Sequence, residues 1–395
     1  MGAVVGTLGL ALTGAAVTAL PAQAVSPACP ATECTVNGNE TVVTGHWVVN
    51  GPLVLTGGET IRIDVAGVLE LGEGASVTGD GRIINQYDLG VSGSDVVISV
   101  PMENQYNGTS AFGRLVVDSG AALAFRNVSL ENNGGVVYNL GFIAFEGGAS
   151  AGLASNLVSV NTPYSQANVA NEGVMLFESA SDTGVTSKFV NTGNVYNDGY
   201  MYFLLAEVED LGNWYASGEH APLYATVFAS SVFKHQDDEG EIVAACAPTL
   251  TPKDGGPIPT WAALEVEDGI AVAFFPAEYQ FSLSTPTSCS FNGQAQPFLG
   301  WGLIQGPLEN VVGTMIELDP LTAVIGEYTT RSESAVFIAA YGSLAPQPAK
   351  SAQPTLPPTG ASRAAVVQPL TGGGVLIGLG VICLVVASRR RESLI

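Results

Sequence analysis

One nine-residue pattern occurs three times in the middle of the chain and decides the expected fold. The copies are VYNLGFIAF at residues 137–145, VANEGVMLF at 169–177 and VYNDGYMYF at 195–203. All three fit V-x-N-x-G-x-x-x-F, and their starts lie 32 and 26 residues apart. Looser copies occur at residues 113–121 and 67–75. Short strands separated by Asn and Gly and repeated at this period predict a solenoid, in which each unit covers the next.

The repeat also predicts which residues stack on one another. Successive rungs of a solenoid lie about 4.8 Å apart, so equivalent residues form columns. The asparagines should form an amide ladder within a turn, the glycines should lie where φ is positive or where backbones approach closely, and the phenylalanines should stack in the core. These columns are Asn139, Asn171 and Asn197; Gly141, Gly173 and Gly199; and Phe145, Phe177 and Phe203.

The rung pattern resembles the right-handed parallel β-helix of pectate-lyase-like proteins and bacterial adhesins. The resemblance lies in the rungs, not in a catalytic motif, and it covers about residues 40–205. It implies an all-β fold, with residues 25–39 as an N-terminal cap; a β-sandwich with chance similarity is the alternative. Residues 206–344 are expected to form a second β-rich region, beginning with a short helix or edge cap at 206–215. This region either continues the solenoid irregularly or forms a sandwich.

The C-terminal end carries three signals in a fixed order. An LPxTG motif is followed by a largely apolar run at residues 364–387 and then by an arginine cluster. About 20 apolar residues span a bilayer, and a cationic cluster stays on the cytoplasmic side. The motif consists of Leu356, Pro357, Pro358, Thr359 and Gly360, and the cluster of Arg389, Arg390 and Arg391.

This order resembles the sorting signal of sortase-anchored surface proteins of Gram-positive bacteria. The resemblance implies residues 356–395 as the sorting signal, with a transmembrane helix at 370–387 that holds the chain in the membrane before sorting. Sortase would then cut between Thr359 and Gly360 and join Thr359 to peptidoglycan. Residues 345–355 are rich in Pro and predict an extended, disordered spacer through the wall.

The N-terminal end indicates export. Residues 3–20 are small and apolar, and Ala22-Gln23-Ala24 is an A-x-A cleavage site, so residues 1–24 are expected to be a signal peptide. Four cysteines remain outside the membrane segment: Cys29, Cys34, Cys246 and Cys289. Disulfides are expected in an exported chain. Of the three possible pairings, Cys29–Cys34 with Cys246–Cys289 is favoured because each pair lies within one region.

The chain is strongly acidic, with 13 Lys and Arg against 36 Asp and Glu and a formal net charge of −23. Such a surface repels nucleic acid and anionic lipid. Counting five residues from the glycines at 113, 141 and 173 predicts a column of Asp118, Glu146 and Glu178. Stacked carboxylates can hold calcium or serve glycoside hydrolysis, and otherwise form a solvated column. No other cofactor is expected.

The combined signals predict a wall-anchored surface protein, exported and exposed outside the cell. Its expected role is adhesion or display, and it would bind a glycan or protein ligand that the sequence does not identify. The alternative is a wall-attached polysaccharide lyase or glycosidase that uses a groove of the β-helix. An enzyme needs carboxylates that converge beside a positive group in a groove, whereas an adhesin has a flat or aromatic-lined side.

Overall fold

The computed structural model describes residues 30, 34–107, 111–146, 157–161, 168–179, 185–191, 193–210, 212–216, 218–233, 241–259, 262, 265–267, 270–307, 318–319 and 324–342. The predicted signal peptide, the spacer, the sorting signal with its arginine cluster, and Cys29 lie outside these residues. Among the described residues, no helix is long and apolar enough to cross a membrane.

The chain first winds through about seven turns of a parallel β-helix with three sheets. Sheet I contains β2 (Glu40–Val43), β5 (Thr60–Ile63), β8 (Arg82–Asn85), β11 (Met102–Gln105), β14 (Leu130–Asn133), β17 (Leu157–Asn161), β20 (Lys188–Asn191) and β23 (Glu207–Asp210). Sheet II contains β3 (His46–Val49), β6 (Val68–Leu71), β9 (Asp88–Val91), β12 (Arg114–Val117), β15 (Val136–Asn139), β18 (Asn168–Asn171), β21 (Asn194–Asn197) and β24 (Asn213–Tyr215). Sheet III begins with β4 (Pro52–Leu55), β7 (Ser76–Gly79), β10 (Val96–Ile98), β13 (Ala122–Arg126), β16 (Phe142–Glu146), β19 (Val174–Glu178) and β22 (Tyr200–Leu204). For the described residues, the predicted all-β fold with a parallel β-helix is confirmed.

Additional strands lie at both ends of the β-helix. The strand β1 (Cys34–Asn37) pairs antiparallel with β2 and closes the N-terminal end of sheet I. At the other end, Glu207–Asp210 and Asn213–Tyr215 form the edge strands β23 and β24, so of the two expectations for this segment the short helix was wrong. Strand β23 pairs in parallel with β20, which extends the β-helix beyond the predicted limit of residue 205. The alternation of Glu and Val along this segment is the local signal for a strand.

The predicted phenylalanine column is confirmed and is longer than expected. The ring centroids of Phe145 and Phe177 lie 4.6 Å apart, and those of Phe177 and Phe203 lie 5.0 Å apart. Phe125 extends the stack at one end, 5.1 Å from Phe145, and Tyr224 extends it at the other, 5.5 Å from Phe203. All four phenylalanines are fully buried. Burying rings of this size is a main source of stability in a solenoid core.

The predicted asparagine ladder is also confirmed. Asn139 Nδ2 donates to Asn171 Oδ1 over 2.7 Å, and Asn171 Nδ2 donates to Asn197 Oδ1 over 2.5 Å. Each of the first two amides also donates to a backbone carbonyl, that of Val174 or of Tyr200. The ladder therefore satisfies polar groups that water does not reach.

A second ladder, which the repeat did not predict, lies at the ends of the sheet I strands. Asn85 Nδ2 donates to Asn104 Oδ1 over 2.8 Å, and Asn104 Nδ2 donates to Asn132 Oδ1 over 2.9 Å. In the next rung the register places Val160 opposite Asn132. Valine has no amide, and within the described chain Asn132 Nδ2 has no hydrogen-bond partner. The ladder thus ends where the sequence changes from Asn to Val.

The glycines of the repeat lie where two backbones approach each other. A Cβ on Gly173 would lie 2.0 Å from the carbonyl oxygen of Gly141, and a Cβ on Gly199 would lie 2.0 Å from that of Gly173. Of the two predicted reasons for glycine, close approach is therefore the correct one. Gly113 lies at a different corner, before sheet II, because the register aligns Arg114 with Val136.

The second β-rich region grows directly out of sheet III. Its first strand, β25 (Leu223–Phe233), pairs with β22 at its start and then with the last strand of the region along the same edge. The remaining strands are β26 (Glu241–Ile242), β27 (Thr249–Pro252), β28 (Glu265–Glu267), β29 (Ile270–Phe275), β30 (Gln280–Ser284), β31 (Ser288–Phe291), β32 (Gln294–Gln305), β33 (Leu318–Asp319), β34 (Val324–Thr329) and β35 (Ala335–Gly342). Two short 3-10 turns lie at Gly218–His220 and Ala244–Cys246.

This region is a sandwich that also covers one side of the β-helix. Strands β27, β30 and β34 form sheet IV, whose Phe281 packs against Phe228 and Phe337 of the extended sheet III. The opposite face of that extension shares one buried cluster with the outward side chains of the β-helix strands of sheet III. Tyr202 and Phe274 make one such contact, with centroids 4.9 Å apart. The outer face of sheet III is therefore closed to ligands from β13 to β22.

The predicted disulfide Cys246–Cys289 is confirmed, with a Cα–Cα distance of 5.9 Å. The bond joins residues 43 positions apart. Replacing both cysteines by alanine is expected to lower the free energy of unfolding of the second region by about 3–4 kcal/mol, because the unfolded chain regains the freedom of that loop. Urea unfolding followed by Trp fluorescence measures the loss.

The control for this prediction is reduction of the unsubstituted protein. Dithiothreitol should lower the urea midpoint of the unsubstituted protein and change that of the alanine variant much less. Equal midpoints for the oxidised protein and the variant would contradict the prediction.

Candidate functional site

The predicted column of three carboxylates is only partly present. Glu146 and Glu178 are register partners on neighbouring strands of sheet III. The residue on the other side of Glu146 is Arg126, not Asp118. Asp118 follows β12 at the corner between sheets II and III, so the prediction that it joins the column was wrong. The count from Gly113 failed because that glycine lies one corner earlier than Gly141.

The column consists of Arg126, Glu146 and Glu178, and its first two residues form an ion pair. Arg126 Nε lies 2.7 Å from Glu146 Oε2, and Glu178 is only 6% exposed. Because the arginine neutralises one of the two carboxylates, the column lacks the stacked negative charge that calcium would require. Among the described residues, no group of three or more His, Cys, Asp or Glu side chains could hold a metal ion.

The basic side chains of the described β-helix are all engaged by carboxylates. Besides Arg126, the pairs are Arg62–Glu40 at 2.6 Å, Arg82–Glu103 at 3.8 Å, Arg114–Asp88 at 2.5 Å, and Lys188 with Glu207 at 2.9 Å and Glu209 at 3.2 Å. Glu207 and Glu209 alternate along β23 and so point to one face. Most of these pairs lie on the outer face of sheet I, which is consequently a charged, solvated surface.

A histidine, a glutamate and a serine meet on the N-terminal rungs without forming a catalytic triad. His46 Nε2 lies 2.9 Å from Glu70 Oε2, and Ser92 Oγ donates to Glu70 Oε1 over 2.8 Å. The hydrogen bonds from Ser92 and His46 lower the pKa of Glu70. In a triad the histidine contacts the serine; here the glutamate lies between them, so this group does not activate a nucleophile.

The outer face of sheet II carries stacked and exposed aromatic side chains. Side chains alternate along a strand, so the third residue of each strand points outward while the second and fourth enter the core. At the C-terminal end of the sheet, the register aligns Tyr138, Ala170, Tyr196 and Tyr215 in that order. Tyr196 and Tyr215 stack with centroids 4.4 Å apart and planes 8° apart. They are 42% and 50% exposed. We call these four residues the tyrosine column.

Polar side chains flank the tyrosine column. Asn194 and Asn213 are the first residues of their strands and therefore point outward beside the tyrosines, and Asn213 Nδ2 donates to Asn194 Oδ1 over 3.1 Å. The turns after β18 and β21 carry two exposed carboxylates, Glu172 and Asp198. Tyr138 donates its hydroxyl proton to Glu172 Oε1 over 2.6 Å, and this hydrogen bond raises the pKa of Tyr138.

The sequence predicted none of these residues as a site, although the signal was present. Tyr138 and Tyr196 occupy the variable second position of V-x-N, immediately before the asparagine of the ladder. Once Val and Asn are assigned to the core, the residue between them must face outward. Several aromatic residues at neighbouring outward positions form an exposed patch, which is a candidate interaction surface.

Comparison of the chain with protein-family models, with curated proteins and with solved structures gave no match. Function must therefore be inferred from the chemistry of the surface and from the signals in the sequence.

Proposed function

We propose that this chain is an exported surface protein, fastened through Thr359 to the peptidoglycan of a Gram-positive-type cell wall by sortase, that binds an external ligand with its β-helix. The tyrosine column is the observation that carries the binding role. The location is supported by the LPxTG motif and by the predicted signal peptide, spacer and transmembrane helix, the last followed by Arg389, Arg390 and Arg391. Because nearly all β-strand crossovers are right-handed, the β-helix is proposed to be right-handed.

Three features favour binding by sheet II over binding elsewhere on the β-helix. The outer face of sheet III is covered by the second region from β13 to β22, and that of sheet I carries ion pairs. Sheet II alone of the three presents stacked, exposed rings among the described residues. Rings in such positions supply large contact areas at a small entropic cost.

A polysaccharide lyase or glycosidase is the weaker alternative. Such an enzyme needs a cationic side chain and a carboxylate that are free to contact substrate in a groove. The described arginines of the β-helix each contact a carboxylate instead, and Glu178 is nearly buried. The paired charges therefore support binding without turnover.

Changing Thr359 to alanine is expected to abolish covalent wall attachment, because the LPxTG motif would lose the threonine side chain that sortase recognises beside the bond it cuts. In fractionated cells the variant should move from the muramidase-released wall fraction to the membrane and medium, a loss of at least about tenfold from the wall. Immunoblotting measures the distribution, and changing Thr355 to alanine, outside the motif, is the matched control. Unchanged wall attachment of the Thr359 variant would overturn the proposed anchoring.

A further inference from the structure

We infer that the tyrosine column binds a neutral glycan and that one sugar ring lies over Ala170, between Tyr138 and Tyr196. This inference rests on the proposed binding role and names the class of ligand. It is argued from the geometry of the column, from the groups beside it and from the charge around it.

The column contains one gap. Ala170 lies between two tyrosines in the register, and its methyl group covers little of the space that a ring would fill. One face of Tyr196 is covered by Tyr215, so its other face looks along the column toward Ala170. The hydrogen bond from Tyr138 to Glu172 holds the far side of the gap in place. Together these residues form a slot with an aromatic wall and a small floor.

The width of the slot suits a sugar ring. Tyr138 and Tyr196 lie two rungs apart, which corresponds to about 9–10 Å. A flat guest in contact with both sides would need about 7–8 Å, since carbon atoms pack at 3.5–4.0 Å. A puckered sugar is thicker, and its axial C–H groups can contact the electron-rich face of a tyrosine. The slot therefore favours a pyranose over a planar aromatic ligand.

The neighbouring polar groups match hydroxyl groups. Asn194 and Asn213 lie on the outer face beside Tyr196 and Tyr215. An amide both donates and accepts hydrogen bonds, as a sugar hydroxyl does. Stacking rings with a few oriented amides beside them fix both the plane and the rotation of a sugar, which is how a small number of polar groups gives specificity.

The charge around the slot excludes anionic glycans. The nearest charged residues in the adjoining turns are Glu172 and Asp198, and the whole chain carries a net charge of −23. A uronic acid or sialic acid would be repelled. A quaternary ammonium ion would be attracted by the carboxylates, but it binds best in an enclosing aromatic cage, whereas this slot is open at the surface.

The test uses the full-length protein in detergent micelles on an array of neutral hexose oligosaccharides, uronic-acid oligosaccharides and sialylated glycans, with choline as competitor. We expect saturable binding to neutral oligosaccharides that choline does not displace. Tyr196→Ala should weaken binding about tenfold, which is 1.4 kcal/mol. Ala170→Tyr should remove binding at least as strongly, because the new ring would complete the stack and fill the slot. Val48→Ala, an exposed apolar position at the far end of the same face, should change nothing.

Ala170→Tyr distinguishes a blocked slot from an unfolded protein. A stacked ring added outside the core should leave the thermal midpoint unchanged or raise it. Binding that survives both substitutions, binding only to acidic glycans, or displacement by choline would overturn the inference. A dimer in light scattering that dissociates on Tyr215→Ala would also overturn it, because a second copy would then occupy the face. If no glycan on the array binds while wall attachment is intact, glycan binding is refuted and the proposed anchoring is unaffected.

Discussion

Replacing Gly173 by alanine is expected to destabilise the β-helix by about 3 kcal/mol or more. The added Cβ would lie 2.0 Å from the carbonyl oxygen of Gly141 in the neighbouring rung. That oxygen cannot move aside, because it accepts the backbone hydrogen bond from Val174. The two rungs must therefore separate, which weakens the asparagine ladder and the phenylalanine stack on either side of the glycine. The expected loss of stability is at the upper end of the usual cost of overpacking.

Gly90→Ala is the matched control for this prediction. Gly90 lies in a strand of sheet II with an ordinary φ, and no atom lies within 4 Å of the position that an added Cβ would occupy. Alanine should therefore be neutral there, or slightly stabilising, because glycine weakens a strand interior. Urea denaturation followed by circular dichroism gives both values. Similar effects at the two positions would contradict the argument from close backbone approach.

Replacing Asn171 by aspartate is expected to cost about 3–5 kcal/mol at neutral pH, although the two side chains have nearly the same shape. Asn171 Nδ2 donates to Asn197 Oδ1 and to the carbonyl of Tyr200. A carboxylate cannot donate, so it would be buried facing two acceptors. An uncompensated buried charge has a cost of this size. The loss should appear in the urea midpoint of the β-helix.

Lowering the pH should restore part of the stability that the Asn171→Asp variant loses. Burial and the facing acceptors raise the pKa of the introduced carboxyl in the folded state above its unfolded value of about 3.9. The penalty is therefore complete above the folded pKa and shrinks as the pH falls through it, because the protonated group can donate one hydrogen bond. The difference in stability between variant and parent, measured from pH 8 to pH 4, should narrow. The control is Asn194→Asp, in the surface pair with Asn213, for which the difference in stability from the parent should stay small over the whole pH range. A difference for Asn171→Asp that stays constant with pH would contradict this account.

The part of the fold that could be predicted from the sequence is the part in which rungs repeat. Phe145, Phe177 and Phe203 recur at the same distance from an asparagine and a glycine, so stacking follows directly from the pattern. The ladder of Asn85, Asn104 and Asn132 has the same chemistry. It was missed because its members lie in strands of unlike sequence, RIIN, MENQ and LENN, so no shared pattern marks them.

The errors have a similar origin. Both Gly113 and Gly141 lie where a Cβ would clash with a backbone oxygen. They look equivalent in the sequence although they lie at different corners, and the position of Asp118 was misjudged as a result. The second region could be predicted only as β-rich, because its central pairing joins β25 to a strand about a hundred residues later. Local patterns contain no information about such distant partners. The tyrosine column was missed because outward positions are identified only after the core positions are known.

The position of β35 has a consequence for a protein held at its C-terminal end. Strand β35 lies between β25, with eight parallel register pairs, and β32, with seven antiparallel ones. Tension on the tether would enter at Gly342, while the β-helix would resist from the opposite end of β25, at Leu223. Pulling then loads the parallel ladder in shear, so that its hydrogen bonds must break together rather than one after another. A chain attached in this way would transmit mechanical force from the wall to the bound ligand without unravelling from its last strand.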